Sequence, residues 1–416
     1  MLGANADQAP PLLLPMSFFV TGLLGVSAAL LTLLTHLRDL SGFVYGVGPM
    51  LGATHFITLG FVSMVMMGAM YQLVPVVLNT QLYKVAMGAF HYAAFVPGVA
   101  LLVSGFLGAG SVVLVVGGSL VVASVIVFLI NMGVTLRRTP AWGTPGWFVA
   151  TAIGYLALTI TMGWLLAFNF LYPFLPVGQA LPVHLALGGV GWFTFTLMGV
   201  SYKLFPMFSL THAKPRHPWT VYGLLNGAIW IIGVASWWLS ATALALGALL
   251  AVAGLGLYLA DVWRMWRKRL RRDPDPAMYL ALAGAVGSMA TVLAALAALQ
   301  TGHWVIVFFL FFFGWIATSI LGYLQKIVPF LVWLHRYSRD IGRVPVPRMK
   351  EILRERWTWQ VGSAYLTGLA VATLALATGT SAELTVGLSL MLAGVLWLLG
   401  IVVYVLCMPP TVRQTA

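Results

Sequence analysis

Twelve apolar runs follow one another along the chain, at about 12–36, 47–77, 85–108, 110–136, 147–171, 179–208, 218–239, 242–266, 277–300, 302–334, 357–379 and 384–408. Each is long enough to cross the roughly 30 Å of hydrocarbon in a bilayer. The breaks between them are turn-like or charged, as in LRDLSG, NTQLYK, RRTPAWGTPG, THAKPRHP, RKRLRRDPDP and HRYSRDIGRVPVPRMKEILRER. Helix is the only open-edged choice at this depth, because lipid offers backbone groups no hydrogen-bond partner. The pattern therefore predicts an all-α membrane protein of twelve transmembrane helices, with residues 1–416 forming a single membrane domain.

Composition excludes a soluble fold. Of 416 residues, 61% are hydrophobic and 7% charged, against roughly a quarter charged in soluble domains. The single cysteine, Cys407, excludes a disulfide framework or a cysteine metal cluster within one chain. The start, MLGANADQAPP, lacks the basic stretch of a cleaved signal and is expected to be a short native tail. The formal charge of +13 invites a nucleic-acid partner, but the position of the charges argues against one. Lys84, Arg137 and Arg138, Lys214 and Arg216, the Arg264–Arg272 cluster and Arg336–Arg356 all follow even-numbered runs. Arg38 is the only basic residue in the loops after odd-numbered runs. By the positive-inside rule the even-to-odd loops and both termini lie in the cytoplasm. Clusters such as RMWRKRLRR read first as topology plus attraction to anionic lipid, with docking of a cytoplasmic partner as the other use. The sixteen tryptophans read as interfacial belts facing the bilayer.

Three of the helices end alike. The second reads GFVSMVMMGAMYQLVPVV from Gly60, the sixth GWFTFTLMGVSYKLFPMF from Gly191, and the tenth GWIATSILGYLQKIVPFL from Gly314. Aligning Gly68, Gly199 and Gly322 superposes those three glycines and also Pro75, Pro206 and Pro329. The spacings are 131 and 123 residues, so a four-helix unit is used three times, over roughly 1–140, 141–270 and 271–416. The expected architecture is three four-helix arcs about a pseudo-threefold axis. Close helix packing is the plain reading of the glycines, and each proline sits near the cytoplasmic end of its span, where losing one N–H is cheapest.

Of the eight histidines, His212, His217 and His335 fall at helix ends or in loops, His91 lies near the start of the third helix, and His36 ends the first beside Arg38 and Asp39. His55, His184 and His303 lie in the outer parts of the second, sixth and tenth helices. A lone intramembrane histidine usually bonds a neighbouring helix. Three on equivalent helices are a site hypothesis, since polar groups in lipid are costly and face the bundle interior. Imidazole is also the commonest ligand for haem iron and transition metals. One reading is a non-haem transporter or channel for a metal or small molecule, with His55, His184 and His303 as pathway or metal ligands. The nine acidic residues (Asp7, Asp39, Asp261, Asp273, Asp275, Asp340, Glu351, Glu355 and Glu383) lie at helix ends or in loops, which speaks against a proton pump. Lys203 and Lys326, near the cytoplasmic ends of their spans, are expected to snorkel to the interface.

Twelve spans, cytoplasmic termini and three repeated arcs resemble subunit I of the haem-copper oxidase superfamily, in a short bacterial branch to which the NnrS haem proteins of the nitric-oxide response are a looser relative. The resemblance implies a low-spin haem b held between His55, in GATHFITLGF, and His303, in QTGHWVIVFF, with Arg38 and His36 as propionate partners. His55 precedes Gly68 by thirteen residues and His303 precedes Gly322 by nineteen, an axial offset of about 9 Å. The tenth helix has no second outer histidine, the seventh has none at all, and Gly188 stands where the family has a tyrosine. The copper ligand set is incomplete, His184 being its only candidate member. The resemblance thus implies a haem-binding protein of a bacterial inner membrane without a complete oxygen-reducing site. Its expected roles are electron transfer, with a cytochrome or other redox subunit as partner, or sensing of haem or nitric oxide.

Overall fold

The computed structural model describes residues 10–41, 48–271, 273 and 275–408. Asp7 and Arg272, named above, lie outside these. Among the described residues, twelve helices are long and apolar enough to cross a membrane: α1 (Leu13–Thr35), α2 (Gly48–Leu78), α3 (Val85–Ala109), α4 (Ser111–Arg137), α5 (Gly143–Asn169), α6 (Val177–Ser209), α7 (Pro218–Trp238), α8 (Ala241–Arg267), α9 (Pro276–Thr301), α10 (Trp304–Asp340), α11 (Glu355–Thr378) and α12 (Ser381–Cys407). Among the described residues there is no strand.

Turn chemistry sets the helix limits. Pro218 and Pro276 open α7 and α9 at the first helical position, where the missing N–H would be unpaired in any case. Ser240 caps α8 by accepting the Ala243 N–H at 3.4 Å. At the other ends Gly302 and Gly379, both with φ of 74°, close α9 and α11 in the left-handed conformation that glycine adopts without strain.

The chain divides into two compact units, Leu73–Asp273 and the described residues of Met1–Gln72 with Pro274–Ala416. In the second of these, α1 crosses α2 so closely that a Cβ at Gly25 would land on the Gly60 carbonyl. The α9–α10 crossing repeats this, with Gly287 against the Gly314 carbonyl, and Gly368 sets α11 on α12 at Gly387. Small residues permit such approach in lipid, where packing rather than the hydrophobic effect holds helices together. In the Leu73–Asp273 unit the corresponding crossing places Gly191 of α6 against the Tyr155 ring of α5.

The helices α2, α6 and α10 differ from the rest. They are the longest, at 31, 33 and 37 residues, and 89%, 72% and 67% of their most apolar windows are buried, against at most 56% elsewhere. Each winds into a π-helical stretch in mid-course, at Phe56–Ser63, Ala186–Thr194 and Leu310–Ala317. Gly60, Gly191 and Gly314 lie within these stretches. In α6 and α10 a hydroxyl five residues on donates to a carbonyl of the stretch. Thr194 Oγ1 donates to the Gly189 carbonyl at 2.8 Å and Thr318 Oγ1 to the Phe313 carbonyl at 2.7 Å.

Lys326 forms an ion pair with Asp275, at the start of α9 and the end of the basic RKRLRRDPDP loop. One acidic residue departs from expectation. Asp261 lies within α8 and is 1% exposed. Its carboxylate accepts the backbone N–H groups of Arg216 and His217 at 2.7 and 3.0 Å and the Tyr202 hydroxyl at 3.5 Å. Three donors offset part of the cost of burying this side chain, and the two from the backbone pin the loop that leads into α7.

Candidate functional site

His55 is the last residue of the α-helical opening of α2 and immediately precedes the first π-helical stretch. It is half-buried. Its Nδ1–H donates to the Leu51 carbonyl one turn back, at 2.7 Å. That bond holds the ring against its own helix and places the lone pair on Nε2. Metal-bound histidines are oriented in this way, one ring nitrogen bonded to a carbonyl and the other turned to the metal. π-Helical turns are likewise frequent at functional sites.

The short helix Leu37–Ser41 carries Arg38 and packs against Gly48–His55. The structure thus brings the elements bearing Arg38 and His55 together, and Arg38 is exposed there. His36 closes α1, where its Nδ1 faces the Thr32 carbonyl at 3.0 Å and the Thr35 hydroxyl at 2.9 Å. Its ring is held on its own helix.

His303 is exposed and caps the start of α10, its N–H directed at Thr301 Oγ1 at 3.4 Å. The first turns it precedes, Trp304–Phe309, pack chiefly on α9 and α11, whereas Gly48–His55 packs chiefly on α1. The helices α2 and α10 touch further along, through their π-helical stretches. His55 directly precedes its stretch and His303 lies seven residues ahead of Leu310, a difference of six residues or about 9 Å. This is the offset already visible from the glycines.

His184, in the Leu73–Asp273 unit, lies in α6 against Gly163 of α5. A Cβ at Gly163 would come within 2.9 Å of the imidazole Cε1, so the glycine makes room for the ring. His91 is fully buried in α3 between Phe95 and Phe128, with ring centroids 5.4 Å from each. Among the described residues, no three or more His, Cys, Asp or Glu side chains gather into a group that could hold a metal ion.

The chain matches no protein-family model and no curated protein. The site therefore rests on its own residues. His55, its ring oriented by Leu51 and its helix packed on that of Arg38, has the donor chemistry that would hold an iron. His303 is exposed and lies further from its π-helical stretch than His55 does from its own. The histidines alone gave no sign of two further features. One is the π-helical winding of α2, α6 and α10, whose only signals were the repeated glycines and a hydroxyl at its close. The other is the burial of two glutamines: Gln72 and Gln325 are 0% and 2% exposed, and each lies between a repeated glycine and a repeated proline.

Proposed function

We propose that this chain is a membrane haem-binding protein on an oxidase-like scaffold, in which His55 would hold the haem iron and Arg38 would pair with the haem's carboxylates. The observation that carries the proposal is the His55–Leu51 bond, which fixes the imidazole directly ahead of a π-helical stretch. In this reading the twelve helices form three four-helix arcs about a pseudo-threefold axis. The basic loops after even-numbered helices support cytoplasmic termini in a bacterial inner membrane. Bound haem b would supply one-electron exchange or binding of a small gas. A single imidazole leaves iron a position for such a gas, which favours sensing; a second imidazole from His303, turned inward from its loop, favours electron transfer.

The test is a visible spectrum and haem assay of the protein purified in nanodiscs. A reduced spectrum with a Soret band is expected, lost in His55→Ala and kept in His212→Ala. In His303→Ala, a change from low-spin to high-spin bands assigns that residue to iron, and an unchanged spectrum leaves His55 as the sole protein ligand. A colourless native protein, or full haem in His55→Ala, would refute the proposal and turn attention to the transporter reading.

A further inference from the structure

The loop between α6 and α7 is hydrogen-bonded along the end of α8. The Asp261 carboxylate accepts the Arg216 and His217 N–H groups. Arg264 Nη1–H donates to the Lys214 carbonyl at 3.1 Å, the Thr211 hydroxyl to the Lys268 carbonyl at 2.9 Å, and the Leu270 N–H to the Leu210 carbonyl at 3.4 Å. Residue numbers rise along one segment as they fall along the other, so the two run antiparallel and side by side. All of this lies within the Leu73–Asp273 unit. Two basic stretches far apart in sequence thereby become one surface.

That surface carries unopposed positive charge. Lys214 and Arg216 of the loop are exposed, as are Arg267 and Lys268 at the end of α8. Arg269 is half-buried; its guanidinium lies 4.4 Å over the Trp266 ring and donates from Nη1 to the Trp266 carbonyl at 3.0 Å. Neither 210–217 nor 262–271 contains an acidic residue. Among the described residues, no carboxylate forms an ion pair with any of these five side chains. Asp261, in the seam itself, is 1% exposed and already engaged by N–H groups. Like charges held side by side repel, and an anion among them relieves that repulsion.

The chemistry narrows the anion to an amphiphile. Guanidinium groups pair with phosphate oxygens through two parallel bonds. A free phosphate would meet the charges and leave the apolar part of the surface unmet. Leu210 and Leu270, joined through their backbones, are each more than half exposed, and so are Trp219 and Trp263 beside the two basic stretches. Tryptophan favours the head-group level of a bilayer. The charge asymmetry of the loops assigns this end of the helices to the cytoplasm, where the leaflet carries anionic lipid.

We propose that the seam between the α6–α7 loop and the end of α8 binds one anionic phospholipid, with its phosphate at Lys214, Arg216, Arg267 and Lys268. The proposal does not depend on haem. Native mass spectrometry of the purified protein, titrated with phosphatidylglycerol or phosphatidylcholine, tests it. Retention of one phosphatidylglycerol and no phosphatidylcholine is expected. A basic residue at an anionic surface contributes about fivefold in affinity. Lys214→Ala with Arg216→Ala, and Arg267→Ala with Lys268→Ala, should therefore each weaken binding by roughly twenty-five-fold. Arg343→Ala with Lys350→Ala removes the same charge from exposed residues of the α10–α11 loop and should bind as the native protein does. Equal weakening in that control would mean diffuse attraction without a site and would overturn the proposal. Loss in only one of the two seam variants would overturn the composite surface. Equal retention of phosphatidylcholine, or displacement of phosphatidylglycerol by millimolar inorganic phosphate, would overturn the choice of a lipid.

Discussion

The α1–α2 crossing gives the sharpest quantitative test of the packing. A Cβ on Gly25 would stand 3.0 Å from the Gly60 Cα and nearer still to its carbonyl group, while non-bonded carbons settle at about 3.5–4.0 Å. The obstacle is backbone, so no rotamer change relieves it and the helices have to part. That places Gly25→Ala at the upper end of overpacking costs, about 3 kcal/mol. Replacing a helical glycine by alanine returns about 1 kcal/mol of helix propensity, for a net loss of about 2 kcal/mol. The control is Gly400→Ala on α12, where an added Cβ meets nothing within 4 Å and only the gain of about 1 kcal/mol applies. Reversible unfolding in mixed micelles should therefore separate the two variants by about 3 kcal/mol. Equal stability of Gly25→Ala and Gly400→Ala would refute the crossing. Gly60 lies in the π-helical stretch that His55 opens, so a parted crossing should also lower haem occupancy if His55 holds the iron.

Two further outcomes follow from hydrogen bonds between helices. Arg336 at the end of α10 donates Nη1–H and Nη2–H to the Met408 and Leu406 carbonyls at 2.6 and 2.5 Å; charged donors contribute about 1.5–3 kcal/mol each, so Arg336→Met should lose several kcal/mol and expose the end of α12 to limited proteolysis. The Phe313 carbonyl, released by the π-helical winding of α10, receives both the Thr318 hydroxyl at 2.7 Å and the Tyr365 hydroxyl from α11 at 3.0 Å. Either Tyr365→Phe or Thr318→Val leaves one donor and should cost about 0.6 kcal/mol, the mean for such bonds in membranes. The double variant strands the carbonyl, so its unfolding free energy should fall by clearly more than the two single losses together; simple additivity would count against the shared acceptor.

Most of the fold was legible because lipid enforces one rule over each span. The run expected at 218–239 is Pro218–Trp238, and that at 12–36 is Leu13–Thr35. The larger errors have local causes. The fifth run was expected from 147, yet α5 begins at Gly143, because Pro145 reads as a turn former but is tolerated in a first helical turn. The tenth was expected to end at 334 and continues to Asp340, since a helix end rich in polar groups falls below any hydropathy threshold. For the site, residue type and repeat position singled out His55, whereas its bond to Leu51 depends on a rotamer. The exposure of His303 follows from Gly302, whose left-handed turn closes α9 and leaves the next residue outside both helices. The buried state of Asp261 was hidden because its donors, at Arg216 and His217, are backbone groups some 45 residues away in sequence.

The irregularities of α2 and α10 explain each other. Each carries a π-helical stretch and, eleven or more residues later, a proline that removes one N–H from the ladder. Such a helix would be costly facing lipid, which can repair neither. It is stable only where other protein groups or water reach its backbone, and α2 is accordingly the most buried span in the chain. The glycines that allow α1 and α9 to approach so closely therefore do more than add contact area. They shield the backbone at the depth where its winding departs from the regular α-helix.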